Sequence, residues 1–261
     1  MKKLVVLSID QPIGEDHANM ATLLCMTLKK YNPDINIKIG FFTNRIPAKK
    51  SLNKLSRYAD LIFDKRFEVE TDSDNIFIRS FTIQYFTKYN DEYDIIYLDN
   101  DVVCLSNIDH LFKKQLPIQV EYIPKYVKRY EEEETGIYVE EDLYYNWFHI
   151  YNKYTKELYS KLPEIKNWND NEKLISKRLK HLPTINQTFG SYYPMSPLNK
   201  KHCLFHYDSF DTDGFFYKLK YIREDEYEKL IFIITQILNI EYNYNDDHYN
   251  YYKKMEKKYG Y

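Results

Sequence analysis

Apolar residues in the first part of the chain follow two different spacings in turn. The compact run from Lys3 to Ile9 predicts a strand, and the segment after it carries apolar residues at helical spacing: Ala18, Ala21, Leu24, Cys25 and Leu28. The same pattern predicts further strands over residues 35–43, 59–64 and 94–98, and further helices over residues 47–57 and 75–89. Strands and helices that alternate in this way favour right-handed crossovers and a mainly parallel sheet with helices on both faces. The predicted fold class is therefore α/β.

The second half of the chain is less regular. Strands are predicted over residues 116–123 and 146–152, with an acidic loop between them at residues 129–142. Helices are predicted over residues 154–162, 171–179 and 224–244. The sequence contains no internal repeat and no Gly/Ser-rich linker, so it favours a single domain with two lobes.

Charge and cysteine content exclude several classes of protein. The chain has 37 Lys and Arg against 39 Asp and Glu, a net charge of -2, so we expect no nucleic-acid partner. Its three cysteines, Cys25, Cys104 and Cys203, are odd in number and lie in apolar surroundings, which is typical of reduced core thiols. No stretch approaches the roughly 20 apolar residues that a membrane span requires, and the N-terminal run is unlike a signal peptide. We therefore expect a soluble, cytoplasmic protein.

Two carboxylates end the predicted strand in the segment "DIIYLDNDVVCL", residues 94–105. On an extended strand Asp99 and Asp101 point to the same side while Asn100 faces away. Ligands of parallel sheets bind beyond the carboxyl ends of the strands. Neighbouring carboxylates repel each other, and a divalent cation removes that repulsion and can also bind the two phosphates of a nucleotide. The alternative is an ordinary turn or helix cap.

The segment from Arg79 to Phe112, "RSFTIQYFTKYNDEYDIIYLDNDVVCLSNIDHLF", resembles the central signature of a known family. It is similar to GT-A fold, nucleotide-sugar-dependent glycosyltransferases, especially the glycogenin and galactosyltransferase-like family eight. In that family a helix, a strand, "YLDxD" and "I-D-x-L-F" recur in this order. The resemblance implies a Rossmann-like GT-A domain over residues 1–261. Residues 1–112 would form its nucleotide-sugar-binding half, and residues 113–261 would form its acceptor half and C-terminal helices.

The resemblance also implies a metal site for Mn²⁺, with Mg²⁺ as the alternative ion. Asp99 would contact the ribose and the metal, Asp101 would bind the metal, and Asn100 belongs to the same cofactor-binding motif. The segment "HCLFHYDSFDTDGF" offers His206 as the third ligand, in preference to His202. A zinc site built on these histidines and Cys203 would need a second ligand pair, which the sequence does not supply at suitable spacing.

Further site residues follow from the same resemblance. Arg79 would lie near the donor phosphates, or else be a surface charge. The glycine and the K-P-W of the family's histidine motif are absent, so Lys218 or Lys220 would have to contact the diphosphate. The segment "VLSIDQP" would meet the uracil through Ser8, Ile9 and Asp10, and "WNDNEKLI" would line the sugar and acceptor pocket through Asp170 and Asn171. The last segment is also typical of a helix N-cap.

The expected reaction is transfer of a hexosyl group from a UDP-sugar to a hydroxyl acceptor with retention. The acceptor can be a glycan, a protein or a small molecule. One alternative is a sugar-nucleotide nucleotidyltransferase, but "SIDQPIGEDHANM" lacks the Gly-rich basic loop expected there. Another is a non-catalytic nucleotide-sugar-binding module of the same fold. The sequence leaves the sugar, the acceptor and the oligomeric state open.

Overall fold

The structure is a computed structural model, and it describes eleven stretches of the chain. These are residues 1–9, 16–41, 48–63, 85–86, 92–113, 118–128, 139–157, 190–192, 203–206, 219–220 and 224–238. The strands are β1 (Lys2–Ser8), β2 (Asn36–Phe41), β3 (Asp60–Phe63), β4 (Tyr93–Leu98), β5 (Val102–Cys104), β6 (Ile118–Lys128), β7 (Val139–Tyr151), β8 (Gly190–Tyr192) and β9 (Leu204–His206). The helices are α1 (Asp16–Tyr31), α2 (Lys49–Leu55) and α3 (Tyr227–Leu238), and a short 3₁₀ helix spans Leu111–Lys113.

Six of the strands form a central sheet in the order β3-β2-β1-β4-β7-β6. The pairs β1/β2, β1/β4 and β2/β3 are parallel, whereas β4/β7 and β6/β7 are antiparallel. Strand β1 therefore lies between β2 and β4, so the carboxyl ends of these three parallel strands meet at one edge. The predicted α/β class with a mainly parallel sheet is confirmed.

Strand β1 is apolar on both faces because both faces are covered. Val5 and Leu7 pack with α1 and α2 on one face, while Leu4 and Val6 pack with Tyr97 and other residues on the opposite face. Phe86, from the helix predicted over residues 75–89, also belongs to the second cluster, and Tyr85 packs against that cluster. Only these two residues of the predicted helix are described. Full burial of an aliphatic side chain contributes about 1.5–3 kcal/mol, so these two layers hold the carboxyl edge of β1 firmly in place.

Helix α1 (Asp16–Tyr31) contains all five apolar positions whose spacing predicted a helix. All five of its predicted core positions are buried, and they join β1 and β2 in one apolar cluster: Ala18, Ala21, Leu24, Cys25 and Leu28. The helical spacing placed them on one face, and that face packs on the sheet. Helix α1 is therefore a fixed element beneath the edge where β4 ends.

A second, small sheet has the order β5-β9-β8. Strand β9 is antiparallel to β5, with Val102 opposite His206, and parallel to β8. Val103, Leu105 and Phe205 pack with Leu230 and other apolar residues of α3 in a separate apolar cluster. The small sheet thus brings a distant part of the chain beside the end of β4.

Some predicted boundaries differ from the structure. Strand β7 begins at Val139, so the last residues of the predicted acidic loop are in a strand. The reason is its pairing with β6, which continues to Lys128 opposite Val139. The helix predicted over 171–179 and most of that over 154–162 lie outside the described residues. Within the described ranges, no helix is both long and apolar enough to cross a membrane.

Candidate metal centre

Asp99, Asp101 and His206 converge at the carboxyl edge of the central sheet. The Nε2 atom of His206 lies 3.1 Å from Oδ1 of Asp101 and 3.7 Å from Oδ2 of Asp99. One ligand atom from each residue lies within 4.8 Å of the other two. Asp99 and His206 are buried, whereas the Asp101 side chain is 22 % exposed. The cluster is therefore closed towards the core and open on the side of Asp101.

The connection between the two sheets brings the carboxylates to this point. Asp99 follows the end of β4, and Asp101 precedes β5, with a bend between them rather than an extended strand. The expected extended geometry at these residues is therefore wrong, because the chain must leave the central sheet here to enter the small one. The two carboxylates nevertheless lie near the same imidazole, since β5 pairs with β9 and sets Val102 opposite His206.

The imidazole of His206 has a raised pKa. Burial lowers this pKa, but the charge of Asp101 and the hydrogen bonds to Asp101 and Asp99 raise it by more, to about 10. In the metal-free protein the ring is therefore protonated at neutral pH and pairs with the two carboxylates. A metal ion bound here has to displace that proton, because only a neutral imidazole nitrogen coordinates.

The donor set fits a divalent ion. Two carboxylates and a neutral imidazole carry two negative charges and offer mixed oxygen and nitrogen ligands, which suit Mn²⁺. Ligands about 2.0–2.6 Å from an ion are at most about 4–5 Å apart, and the three ligand atoms here meet that limit with a maximum of 4.8 Å. Three protein ligands would leave positions for oxygens of another molecule in a coordination shell of about six.

Asn100, the middle residue of the bend, points to helix α1. Its Nδ2 atom lies 3.1 Å from Nδ1 of His17, at the start of that helix. The role of Asn100 in the cofactor-binding motif remains a prediction. His17 was not among the residues predicted from sequence, because no local pattern connects a helix start with a residue so distant in the chain.

The end of β1 is buried under this edge. The Ser8 hydroxyl is hydrogen-bonded to the Tyr97 hydroxyl at 3.1 Å, and the Ile9 N–H donates to the carbonyl of Gly40 at 3.3 Å. Both Ser8 and Ile9 are buried. Their contact with a nucleotide base remains a prediction.

Several predicted site residues lie outside the described residues, and their roles also remain predictions: Asp10, Arg79, Asp170, Asn171 and Lys218. Lys220, the alternative to Lys218, is described. Its Nζ lies 5.5 Å from the centre of the Tyr227 ring, at the start of α3.

Comparison with solved structures identifies the fold. The apo structure of the bifunctional glycosyltransferase WbbM has a TM-score of 0.53 at 15% identity, and the match covers 89% of this chain and 49% of WbbM. An active-site mutant of LgtC has a TM-score of 0.50 at 11% identity, covering 89% of this chain and 95% of LgtC. The apo glycosyltransferase GlyE of Streptococcus pneumoniae TIGR4 has a TM-score of 0.46 at 16% identity, covering 92% of this chain and 62% of GlyE.

The first two of these structures establish that the chain has the fold of GT-A glycosyltransferases. The predicted resemblance to such enzymes, including family eight, is thus confirmed at the level of the fold. The chain spans about half the length of WbbM. No protein-family model and no curated protein matches the sequence.

Proposed function

We propose that this protein is a metal-dependent glycosyltransferase that moves a hexosyl group from a UDP-sugar to a hydroxyl acceptor with retention. The observation that carries this proposal is the convergence of Asp99, Asp101 and His206 in a GT-A fold. The acceptor would be a glycan, a protein or a small molecule.

The position of the cluster supports a nucleotide diphosphate as the ligand. In open α/β sheets, ligands bind in the crevice beyond the carboxyl ends of the strands, and the cluster lies where β4 ends beside β1. Asp99, Asp101 and His206 would hold the ion, which would supply positive charge against the departing diphosphate. The Asp101 side chain is 22% exposed, so the donor would approach the ion from this side.

The proposed transfer breaks the bond between the anomeric carbon and the UDP oxygen. The acceptor oxygen attacks from the same face, and its proton passes to the departing phosphate oxygen, so the configuration is retained. Asp170 and Asn171 would position the sugar and the acceptor rather than attack. Alignment of the two reactants in this way is itself a large part of catalysis.

We also propose a cytoplasmic location. Cys25, Cys104 and Cys203 are buried thiols in the structure. Burial raises the pKa of Cys25 to about 12. Thiols held in the neutral form are poorly reactive and suit a reducing compartment.

The test is isothermal titration of UDP with and without Mn²⁺, on the wild-type protein and on Asp101→Ala. We expect UDP to bind more tightly with Mn²⁺ present, and this gain to disappear in Asp101→Ala. Asp34→Ala is the matched control, because Asp34 is an exposed carboxylate in the turn before β2. Equal UDP affinity with and without Mn²⁺ would contradict metal dependence.

The reaction itself is tested with a panel of nucleotide sugars and acceptors. Sugar transfer or slow hydrolysis of a UDP-sugar that depends on Asp101 supports the proposal. Release of pyrophosphate from a nucleoside triphosphate and a sugar phosphate would identify a nucleotidyltransferase instead. Nucleotide binding without turnover on the whole panel would identify a binding module.

A further inference from the structure

The contact between Asn100 and His17 joins the candidate metal centre to helix α1. Asn100 is the residue between the two carboxylates, and its amide nitrogen lies 3.1 Å from Nδ1 of His17. A residue in the middle of a bend commonly faces solvent, but this hydrogen bond is partly buried. The bend is therefore hydrogen-bonded to α1 at the residue between the two carboxylates of the proposed metal site.

The chain after the bend is hydrogen-bonded to helix α1 and to Asn32, the residue that follows the helix. The hydroxyl of Thr27 accepts a hydrogen bond from the N–H of Cys104 at 3.1 Å. The side-chain oxygen of Asn32 accepts one from the N–H of Ile108 at 2.9 Å. The stretch from Asn100 to Ile108 is thus attached to α1 and its C-terminal end along its length, and the His17 contact is the attachment that lies between the carboxylates.

The bend needs such an attachment for a physical reason. Residues 99–101 lie between β4 and β5 and belong to neither strand, so the sheet ladders do not fix them directly. The contacts of His206 with Asp99 and Asp101 require the bend to keep both carboxylates on the side of the imidazole. A hydrogen bond from the residue between them is a restraint on the backbone at the point where both carboxylates are attached.

We propose that His17 is a positioning residue for the metal centre. It acts through Asn100, which it holds so that Asp99 and Asp101 stay directed towards His206. The inference rests on the proposed metal-binding function and adds to it a residue outside the metal ligands. A hydrogen bond of ordinary strength changes an equilibrium constant by about two- to tenfold, and this is the size of the effect expected on Mn²⁺ affinity.

The test is Mn²⁺ affinity, measured by electron paramagnetic resonance of the free ion in titrations of the full chain. His17→Ala and Asn100→Ala should each weaken Mn²⁺ binding about two- to tenfold. The double variant should be no weaker than either single variant, because both changes remove the same hydrogen bond. His17→Asn should retain most of the affinity, since its amide oxygen reaches the position of the histidine Nδ1.

Thr22→Ala is the matched control for a loss of stability alone. Thr22 is a buried residue of α1 whose hydroxyl donates to the Ala18 carbonyl, within the helix. This variant should lower the melting temperature while leaving Mn²⁺ affinity unchanged. An equal loss of affinity in Thr22→Ala would show that helix stability, rather than the His17 contact, controls the site and would overturn the proposal.

The remaining outcomes separate this inference from the proposed function. If the wild-type protein and His17→Ala bind Mn²⁺ with equal affinity, the proposed role of His17 is wrong and the metal site is unaffected. Additive losses in the double variant would do the same. Failure of the wild-type protein to bind Mn²⁺ would overturn the metal site itself, and the role of His17 with it.

Discussion

Binding of Mn²⁺ to the candidate centre should release about one proton at neutral pH. His206 is buried, and its Nε2 lies near the carboxylates of both Asp99 and Asp101. Burial lowers its pKa and the two carboxylates raise it by more, from 6.5 to about 10. The ring is therefore protonated at neutral pH in the metal-free protein, and it has to lose that proton before Nε2 can coordinate the ion.

The size of the effect follows from this pKa. While the pH lies well below 10, each increase of one pH unit lowers the concentration of the protons that compete for His206 tenfold. The apparent affinity for Mn²⁺ should therefore rise about tenfold per pH unit from about pH 6 to 8, or about 1.4 kcal/mol per unit.

The assay is isothermal titration of Mn²⁺ in two buffers of different ionisation enthalpy, repeated across the pH interval. The difference in heat between the buffers gives the number of protons released. His206→Gln is the control, since its amide carries no ionisable proton and should show weaker binding without proton release. Wild-type affinity that stays flat with pH, or a proton count near zero, would refute the assignment of His206 as a metal ligand.

Three further predictions concern stability. In the metal-free protein, the raised pKa of His206 adds stability that is fully present below about pH 6.5 and is lost as the pH rises through about 10. Urea unfolding in the presence of a chelator should show that loss, and it should be smaller in His206→Gln. Tyr97→Phe removes the partner of the buried Ser8 hydroxyl and should cost about 1–3 kcal/mol in the same assay, so an unchanged free energy of unfolding would contradict the hydrogen bond. Leu230→Ala should cost about 2–5 kcal/mol because Leu230 is fully buried, whereas Phe232→Ser should change stability by about 0.5 kcal/mol or less because Phe232 is 66% exposed. Similar losses in the last two variants would contradict the packing of α3.

The central sheet and α1 could be predicted because their signals are local. Strands β1 and β4 are compact runs of buried apolar residues, and the core face of α1 repeats at helical spacing. Asp99 and Asp101 could be located because they directly follow such a run. Each of these inferences uses only neighbouring residues in the chain.

The small sheet could not be predicted in this way. Strands β5, β8 and β9 have three residues each, too few to show a period. Each depends on pairing between distant segments, such as Val102 with His206. The charges at the start of β7 favoured a loop, but pairing with β6 outweighs the low strand preference of glutamate and aspartate.

The contact between His17 and Asn100 could not be predicted for the same reason. The two residues lie in separate elements, and no spacing rule connects them. Likewise, the polar character of Ser8 at the end of β1 gave no indication that its hydroxyl binds Tyr97 inside the sheet. Tertiary contacts of single polar side chains leave little trace in the sequence of one protein.

The central claim is that one divalent ion is held by residues from two distant parts of the chain. Anomalous diffraction from crystals soaked in Mn²⁺ tests it most directly. We predict a single strong anomalous peak within coordination distance of the carboxylates of Asp99 and Asp101 and of Nε2 of His206. A soaked crystal with no peak between these three side chains, or with His206 turned away from the ion, would contradict the account.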